Sequence, residues 1–391
     1  MKPLATRADG LRQSDIRAVS VLVNAVGGIN LGQGICDMPT PDPIKQAAKA
    51  AIDGDRSIYS HLAGIRPLRE RILAKVQAYN GIPATSPDEV MVSVGSTGAF
   101  VSACFALLDP GDEVILFEPF YGYHRGILPL AGAVPRFVRT QRPDFAVDFD
   151  ALRATLTPKT KAIVVCTPNN PSGKVWTRDE LTTLIAIAQE HDLYLITDEI
   201  YEYMVYDGRE HVSLASLPGA YERTVTLSGF SKTFNMTGWR LGYAVAPPHL
   251  IEKMGLLNDL FYICAPTPLQ HGVAAAFDMS DTYYTEMLDA YTAKRQLLCE
   301  TLEAIGFELA WPQGAYYVLA NFEQLAKTQP GFEDDHAAAR TLIDRAGVGT
   351  VAGNSFFADP ADGRYYLRFC YAKEMPVLEG ACQRLRDAFG T

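Results

Sequence analysis

The chain has 391 residues, of which 48% are hydrophobic and 20% are charged, an ordinary balance for a globular protein. This length is sufficient for two or three domains with buried cores. The formal net charge of −10 argues against a protein that binds nucleic-acid phosphates, because such proteins carry a basic surface.

The sequence also lacks the features of a membrane or exported protein. No apolar run approaches the ~20 residues that a membrane span needs, and the first residues, MKPLATRADGLRQSD, contain no apolar signal core. The seven cysteines are odd in number and scattered, which favours reduced thiols over a disulfide framework. We therefore expect a cytoplasmic protein that contacts neither a membrane nor nucleic acid.

The predicted elements begin with an extended segment over residues 1–43, which contains prolines and glycines. From residue 89 onward, short runs rich in Val and Ile alternate with helical patterns such as Gly98–Leu108 and Thr177–Glu190. This alternation predicts an α/β fold with a mainly parallel sheet and helices on both faces. The six predicted strands are EVMVSVG (89–95), DEVILFEP (112–119), KAIVVCTP (161–168), LYLITDEI (193–200), RTVTLSG (223–229) and LGYAVAP (241–247).

After Pro248 the pattern becomes helical, with a long helix near 281–305, and two further strands follow at 314–322 and 364–372. Ligands of open α/β sheets bind at the carboxyl ends of the strands, so functional residues are expected there. The expected domains are a large α/β domain, residues 44–280, and a smaller α+β domain formed by both chain ends, residues 1–43 and 281–391.

Two strand ends offer candidates for binding an anion and a flat ligand. VGSTGAF (94–100) places Ser96 and Thr97 before a helix, whose N-terminal N–H groups attract anions. A tight strand-to-helix turn explains these residues equally well, and the motif is neither a P-loop nor a dinucleotide fingerprint. Tyr121 lies at another strand exit, where it would stack on an aromatic ligand unless it is simply a core or surface residue.

Asn170 and Asp198 follow the next two strands. Asn170 lies between prolines in CTPNNPSG (166–173), where ordinary turn chemistry also explains it. Asp198 ends an apolar strand in LITDEIY (195–201). A carboxylate there needs a cation or a hydrogen-bond donor unless it caps a helix. Tyr201 follows three positions later.

Lys232 and Arg240 are isolated cations in SGFSKTFNMTGWRLGY (228–243). Most single lysines are solvated surface residues. This one follows an apolar strand and small hydroxyl residues such as Ser231. Burial beside other cations would lower the pKa of its amine and make it nucleophilic.

Together these residues match the chemistry of one cofactor, pyridoxal 5'-phosphate, whose aldehyde forms a Schiff base with a lysine amine. Lys232 is expected to provide that amine, and Asp198 to hold the protonated ring nitrogen. Tyr201 and Asn170 would donate to the phenolate oxygen, and Tyr121 would stack on the ring. No metal site is predicted. The expected phosphate ligands are Ser96, Thr97, Ser231 and Arg240.

The order of the motifs resembles that of the class I/II aminotransferases of the aspartate aminotransferase superfamily, which are pyridoxal-phosphate enzymes of fold type I. The resemblance spans nearly the whole chain, and several motifs look most like the kynurenine, methionine and aromatic aminotransferase branch. The matching motifs are NLGQG (30–34), YSHLAGIRPLRE (59–70), GSTGAF (95–100), PNNPSG (168–173), TDEIY (197–201), SGFSKTFNMTGWRLGY (228–243), PQGAYY (312–317) and YLRFCYA (366–372).

The resemblance implies further roles. Arg368 would grip the substrate α-carboxylate bidentately, with Asn170 and the backbone of Gly34 beside it. Tyr59 would reach the cofactor phosphate of a neighbouring subunit, which implies a homodimer with shared active sites. The chain departs from many relatives at Gly229, where they carry serine.

We predict an aminotransferase that works between an L-amino acid and a 2-oxo acid such as 2-oxoglutarate by ping-pong kinetics, with Lys232, Asp198 and Tyr201 as catalytic residues. A cysteine-S-conjugate β-lyase is an alternative, because the cofactor stabilises a carbanion whichever bond breaks. A non-catalytic ligand sensor on the same fold is another, although the intact Lys232 and Asp198 argue against it.

The positions of Lys and Arg residues indicate which kind of substrate side chain the site would accept. The segment 254–275 contains no Lys or Arg, and Thr97 stands where some relatives that act on acidic substrates carry lysine. We therefore expect aromatic or large neutral amino acids as substrates. Aspartate aminotransferase activity is the alternative, since a side chain such as Arg17 would supply a second cation. The candidate substrate neighbours are Tyr121, Phe261, Tyr262, Ile263 and Phe356.

Overall fold

The computed structural model describes residue 5 and residues 15–390, apart from the side chains of residues 15–18. Within that part of the chain there are thirteen α-helices and thirteen β-strands. The helices are α1 Asp15–Ala25, α2 Asp42–Asp53, α3 Arg66–Ala78, α4 Gly95–Leu107, α5 Gly122–Ile127, α6 Phe149–Thr155, α7 Arg178–Glu190, α8 Pro248–Tyr262, α9 Thr267–Ala274, α10 Thr282–Ala304, α11 Asp335–Ala346, α12 Pro360–Gly363 and α13 Met375–Phe389. The strands are β1 Ile29–Asn30, β2 Val90–Val94, β3 Glu113–Glu118, β4 Val134–Arg139, β5 Thr160–Cys166, β6 Tyr194–Asp198, β7 Thr224–Gly229, β8 Leu241–Val245, β9 Glu308–Leu309, β10 Tyr317–Asn321, β11 Val348–Gly349, β12 Val351–Ala352 and β13 Tyr366–Cys370.

Seven strands form the large sheet, in the order β2-β8-β7-β6-β5-β3-β4. The five strands from β7 to β4 are parallel, and β8 runs antiparallel to both β2 and β7. The predicted mainly parallel sheet is confirmed, and all six predicted strands are present. The prediction missed β4, an edge strand that contains Pro135 and buries only Val138 fully, so its sequence carries little apolar signal.

Helices cover both faces of this sheet because the central strands are apolar on both sides. In β5, Val164 packs into the buried cluster that includes Phe100 of α4. Its neighbours Ile163 and Val165 point to the other face and pack with Leu184 of α7. The sheet is therefore buried on both faces, and the ends of its strands are held in fixed positions relative to one another.

The C-terminal part of the chain adds an antiparallel sheet of four strands, in the order β12-β13-β10-β9. The long helix predicted near 281–305 is present as α10. The buried cluster of this part also contains Tyr201 and Met204, which follow β6 of the large sheet. The polypeptide just after the central strands thus packs into the core of the C-terminal part.

The N-terminal segment is only partly as predicted. The extended conformation expected for residues 1–43 is wrong for Asp15–Ala25, which forms α1 and packs Val19 and Val23 against Ile343. Strand β1 pairs in parallel with β11, so the segment does contact the C-terminal part. Residues 1–4 and 6–14 lie outside the described residues. The domain boundaries at 43/44 and 280/281 stay a prediction.

Two further properties concern the whole described chain. None of its helices combines the length and the apolar character that crossing a bilayer requires. All seven cysteines are free thiols, and six of them are buried.

Candidate active site

Asp198 ends β6, where it lies next to Cys166 of β5 and Leu227 of β7 in the register of the sheet. Its side chain is buried, with Oδ2 3.1 Å from Nε2 of His124. The backbone N–H of Ile200 donates to Oδ1 at 3.3 Å. The chain then continues as a turn, so helix capping does not explain this carboxylate. It is a strand-end acid with one oxygen directed at an imidazole.

His124 was not anticipated from the sequence, although it sits beside Asp198. It is buried in α5, with its ring 4.6 Å from that of Phe100. The ring of Tyr121 meets it edge-on at 5.2 Å and 88°. The available signal was a histidine three positions after Tyr121, within an aromatic stretch that follows a strand exit. Its contact supplies Asp198 with a hydrogen-bonding partner inside the fold.

Lys232 lies in a turn after β7 and directly follows the buried Ser231. Its Nζ is 3.4 Å from the carbonyl oxygen of Gly34. Burial lowers the pKa of this amine, and the nearby guanidinium groups of Arg240 and Arg368 act in the same direction. A lysine in these surroundings gives up its proton more readily than a solvated one, which favours nucleophilic chemistry.

Tyr201 faces the same space as Lys232. It is buried, and the Lys232 ammonium nitrogen is 6.0 Å from the centre of its ring. Its hydroxyl lies 3.5 Å from that of Tyr317, and its ring meets Tyr316 edge-on at 5.1 Å. Burial raises the pKa of Tyr201 well above its ordinary value, so the phenol is neutral and able to donate.

The predicted phosphate site is organised around the start of α4. Gly95 has φ of +69°, and its N–H donates to the carbonyl of Arg240 at 3.0 Å. A side chain at position 95 would overlap the Arg240 guanidinium, so the glycine permits this close approach. Arg240 is exposed and donates to the carbonyl of Thr237 at 3.0 Å. A cation therefore lies directly against the N-terminus of a helix.

A small cavity lies between this helix start and the end of β6. Ser96, Thr97, Tyr121 and Asp198 all line it. Tyr121 is half-buried, and its ring stacks on that of Tyr123 at 5.3 Å and 20°. The structure thus brings together the residues predicted to hold an anion, a flat ring and a ring nitrogen.

Arg368 is the central residue of β13 and is only 1% exposed. Nη1 donates to Oδ1 of Asn170 at 3.0 Å, and Nη2 donates to the carbonyl of Gly32 at 2.7 Å. The rings of Tyr317 and Phe356 lie 4.3 and 5.0 Å from Cζ. Nε is buried and has no hydrogen-bond partner among the described residues. A buried guanidinium with an unused N–H is suited to binding an anion.

Some predicted residues lie apart from this centre. Tyr59 is 78% exposed and makes no hydrogen bond or ring contact with another described residue, and Ile58 beside it is equally exposed. Phe261 and Tyr262 end α8, Ile263 follows it, and all three are exposed. Phe356 is buried against Arg368 instead of lining open space. The side chain of Arg17 lies outside the described residues.

The departure from the family pattern at Gly229 has a packing explanation. A Cβ there would lie 3.0 Å from Cα of Gly242 and 3.1 Å from Cδ1 of Ile200, which is tighter than ordinary contact. The preceding Ser228 does not compensate, because its hydroxyl donates to Glu202 at 2.9 Å. Ser231 is the remaining hydroxyl of this turn next to the lysine.

The chain is similar to known proteins over nearly its whole length. The family described as aminotransferase class I and II matches residues 26–385. Aromatic-amino-acid aminotransferase 2 of Thermococcus litoralis and the aspartate aminotransferase of Pyrococcus abyssi are each 35% identical, over 98% of this chain and 97% of theirs. The structure of N-succinyldiaminopimelate aminotransferase from Mycobacterium tuberculosis is 33% identical with a TM-score of 0.93, over 99% of this chain and 100% of that one.

These relatives share one reaction class and differ in the amino acid that their names give. Similarity at this level, over nearly the full length of every chain, extends to the fold and the family but leaves the substrate open. The chain belongs to the class I and II aminotransferases.

Proposed function

We propose that this aminotransferase transfers an amino group between an aromatic or large neutral L-amino acid and a 2-oxo acid such as 2-oxoglutarate. One arrangement carries the proposal: Lys232, whose pKa burial and the nearby Arg368 both lower, follows β7 beside the buried Asp198 at the end of β6, and Arg368 is buried with an unused donor. Pyridoxal 5'-phosphate, the cofactor of this family, supplies an aldehyde for the lysine and a ring that withdraws electrons from the substrate.

The donor set fits this cofactor. Asp198 would hold the proton on the ring nitrogen through a charge-assisted hydrogen bond. The contact between His124 Nε2 and Oδ2 of Asp198 would keep the carboxylate in place. Tyr121 would cover one ring face, since it is half-buried and borders the same cavity as Asp198. Tyr201 and Asn170 would donate to the phenolate oxygen. The residues that would hold the phosphate are Ser96, Thr97, Ser231 and Arg240.

Lys232 would provide both the attachment point and the proton carrier. Its lowered pKa favours the neutral amine, which is the form that attacks an aldehyde and accepts a proton. Once protonated, the same amine returns the proton to a neighbouring atom. The enzyme would keep the amino group after the first product leaves and before the second substrate binds. We therefore expect ping-pong kinetics.

The substrate carboxylate would bind to Arg368, with Asn170 and the Gly34 backbone beside it. The unpartnered Nε supports this role, because a carboxylate would satisfy a donor that the protein leaves without a partner. The ring of Tyr121, which borders the same cavity as Asp198, supports a flat or large apolar substrate over a dicarboxylate. The aspartate-specific alternative would need a second cation near the distal carboxylate.

We also propose a cytoplasmic homodimer in which Tyr59 completes the phosphate site of the second subunit. The exposure of Ile58 and Tyr59 supports this, as does that of Leu260, because large apolar side chains with exposures of 78–80% are typical of surfaces that become covered. Arg240 is likewise exposed within a single chain. The free cysteines are compatible with a reducing compartment.

The first test is Lys232→Ala. We expect turnover to fall by about 10⁴ or more, since the variant loses the proton carrier as well as the covalent anchor. The visible absorbance that the cofactor acquires on binding should disappear as well. Lys253→Ala, which removes an exposed lysine of α8, is the matched control and should leave activity and absorbance unchanged. Near-full activity of Lys232→Ala would overturn the assignment.

The second test addresses the substrate. A spectrophotometric half-reaction with each of the twenty amino acids should be fastest with aromatic or large neutral ones. A fastest reaction with aspartate would favour the aspartate alternative. Release of pyruvate from a cysteine conjugate without a 2-oxo acid acceptor would favour the β-lyase.

A further inference from the structure

Tyr317, at the start of β10, has no role in the chemistry described above, yet it touches three elements of the site. It is buried, and burial raises the pKa of Tyr317 to about 12, so the phenol is neutral at physiological pH. Its ring lies against Arg368, its hydroxyl is 3.5 Å from that of Tyr201, and its outer edge borders Gly34. A single side chain therefore spans the carboxylate side of the site.

The Tyr317 ring lies against the guanidinium group of Arg368 and limits its movement. Asn170 and Gly32 accept hydrogen bonds from its edge, and these contacts leave its faces to other groups. The centre of the Tyr317 ring is 4.3 Å from Cζ, and that of Phe356 is 5.0 Å. An aromatic face stabilises a desolvated guanidinium, and the effect is largest where water is excluded. The direction of the unused Nε–H is therefore set partly by these rings.

The hydroxyl end of Tyr317 explains the glycine at position 34. Gly34 does not have a positive φ, so backbone conformation gives no reason for a glycine there. A Cβ at this position would overlap the Tyr317 hydroxyl oxygen and would lie 2.8 Å from the ring carbon Cζ. The Gly34 carbonyl accepts from the Tyr316 hydroxyl at 3.1 Å, which holds this backbone in place.

We propose that Tyr317 is the positioning residue of the substrate carboxylate site: its ring orients Arg368, and its hydroxyl occupies the space beside Gly34, so that both contacts reach the carboxylate at a fixed separation. This rests on the proposed function of Arg368 and Gly34 as carboxylate ligands. Tyr317 itself touches no substrate in this scheme.

The experiment compares two substitutions of the same residue in the holoenzyme. Binding of 2-oxoglutarate, which has a carboxylate but no amino group to transfer, is measured by calorimetry. Tyr317→Leu, which removes the ring, should raise Kd by about 5- to 30-fold. Tyr317→Phe, which keeps the ring and loses only the hydroxyl, should raise Kd by a smaller factor than Tyr317→Leu does. In steady state, KM for the amino donor and for the oxo acid should rise together in Tyr317→Leu, while kcat and the cofactor absorbance stay close to wild type.

Two further variants serve as controls. Phe389→Leu removes an arginine–aromatic contact that involves neither Arg368 nor Tyr317, since Cζ of Arg345 lies 4.2 Å from the Phe389 ring. This variant should leave Kd unchanged. Arg368→Lys removes the proposed ligand and should weaken binding more than Tyr317→Leu does. If Tyr317→Leu does not fold, Tyr317→Met, which preserves more of the volume, takes its place.

A rescue experiment tests the hydroxyl end. Gly34→Ala should raise Kd, because the new methyl group displaces Tyr317. Combining it with Tyr317→Phe removes the overlapping oxygen, so the double variant should bind 2-oxoglutarate better than Gly34→Ala alone. A methyl group that acted directly on the substrate would give no such rescue.

The outcomes distinguish the role of Tyr317 from the proposed roles of Arg368 and Gly34 as carboxylate ligands. Unchanged binding in Tyr317→Leu, together with weakened binding in Arg368→Lys, overturns the role of Tyr317 and leaves the proposed function intact. Equal losses in Tyr317→Phe and Tyr317→Leu overturn the role of the ring. Unchanged binding in Arg368→Lys overturns the proposed carboxylate site and, with it, the role of Tyr317.

Discussion

The two sides of the site are built in different ways. On the lysine side, Asp198 and Lys232 come from neighbouring central strands, and each belongs to a short motif that ends or follows its strand. On the arginine side, Arg368 contacts Gly32, Asn170 and Tyr317, which come from distant parts of the chain, as well as the nearby Phe356. The strand order of the large sheet is enough to place Asp198 near Lys232. The contacts of Arg368 form only when the two ends of the chain pack together.

This difference has an energetic consequence. A strand end in a sheet buried on both faces is held by many backbone hydrogen bonds. A single substitution there should therefore alter the reacting side chain while the backbone stays in place. A buried guanidinium is held by a few side chains, and its position depends on each of them. Substitutions on the lysine side should therefore lower kcat, whereas those on the arginine side should raise KM.

Among the variants that test this contrast between the two sides, the largest effect is expected for Asp198→Asn. The amide keeps the shape of the side chain but cannot stabilise a proton on the ring nitrogen, so kcat should fall by about 10²- to 10⁴-fold. Stopped-flow measurement of the half-reaction tests this, with the melting temperature as a check on folding. A variant within threefold of wild type would contradict the comparison, because the lysine side would then not depend on this charge.

Lys75→Met should weaken the structure behind the lysine side. Lys75 forms a 2.5 Å ion pair with buried Glu202, which also accepts from Ser228 of β7. Removing the cation leaves a buried carboxylate without its counter-charge and should cost about 3–5 kcal/mol in the free energy of unfolding. Chemical denaturation measures the loss. The double variant with Glu202→Gln should recover part of it, and failure to recover any would contradict a role for the buried charge.

The smallest effect is expected for Asn170→Ala, on the arginine side. The substitution removes the acceptor of a 3.0 Å hydrogen bond from Arg368. Hydrogen bonds to charged groups contribute about 1.5–3 kcal/mol, so kcat/KM should fall roughly 10- to 100-fold, mostly through KM. Steady-state kinetics with both substrates tests this. A loss confined to kcat would contradict the expectation that substitutions on the arginine side act mainly on KM.

Much of the lysine side was predictable because its signals are local. Apolar strands that end in Asp or lead into small hydroxyl residues place Asp198 and Lys232 at one edge of a parallel sheet, whatever the remaining packing is. His124 was missed because its importance comes from contact with Asp198, 74 positions away. The edge strand β4 was missed because its sequence carries little apolar pattern. The helix α1 was missed although DIRAVSVLVNA (15–25) is mainly apolar, because the prolines and glycines of the surrounding segment indicated an extended chain.

The sequence by itself therefore determined the α/β class, the central strands and the lysine and aspartate that follow them, because periodicity and strand ends are properties of neighbouring residues. Only the tertiary structure decided that Arg368 is buried between Tyr317 and Phe356, that Ser228 turns towards Glu202, and why position 34 is glycine. Those features depend on contacts between side chains that are not neighbours in the sequence, and a local sequence pattern does not indicate which of them will meet.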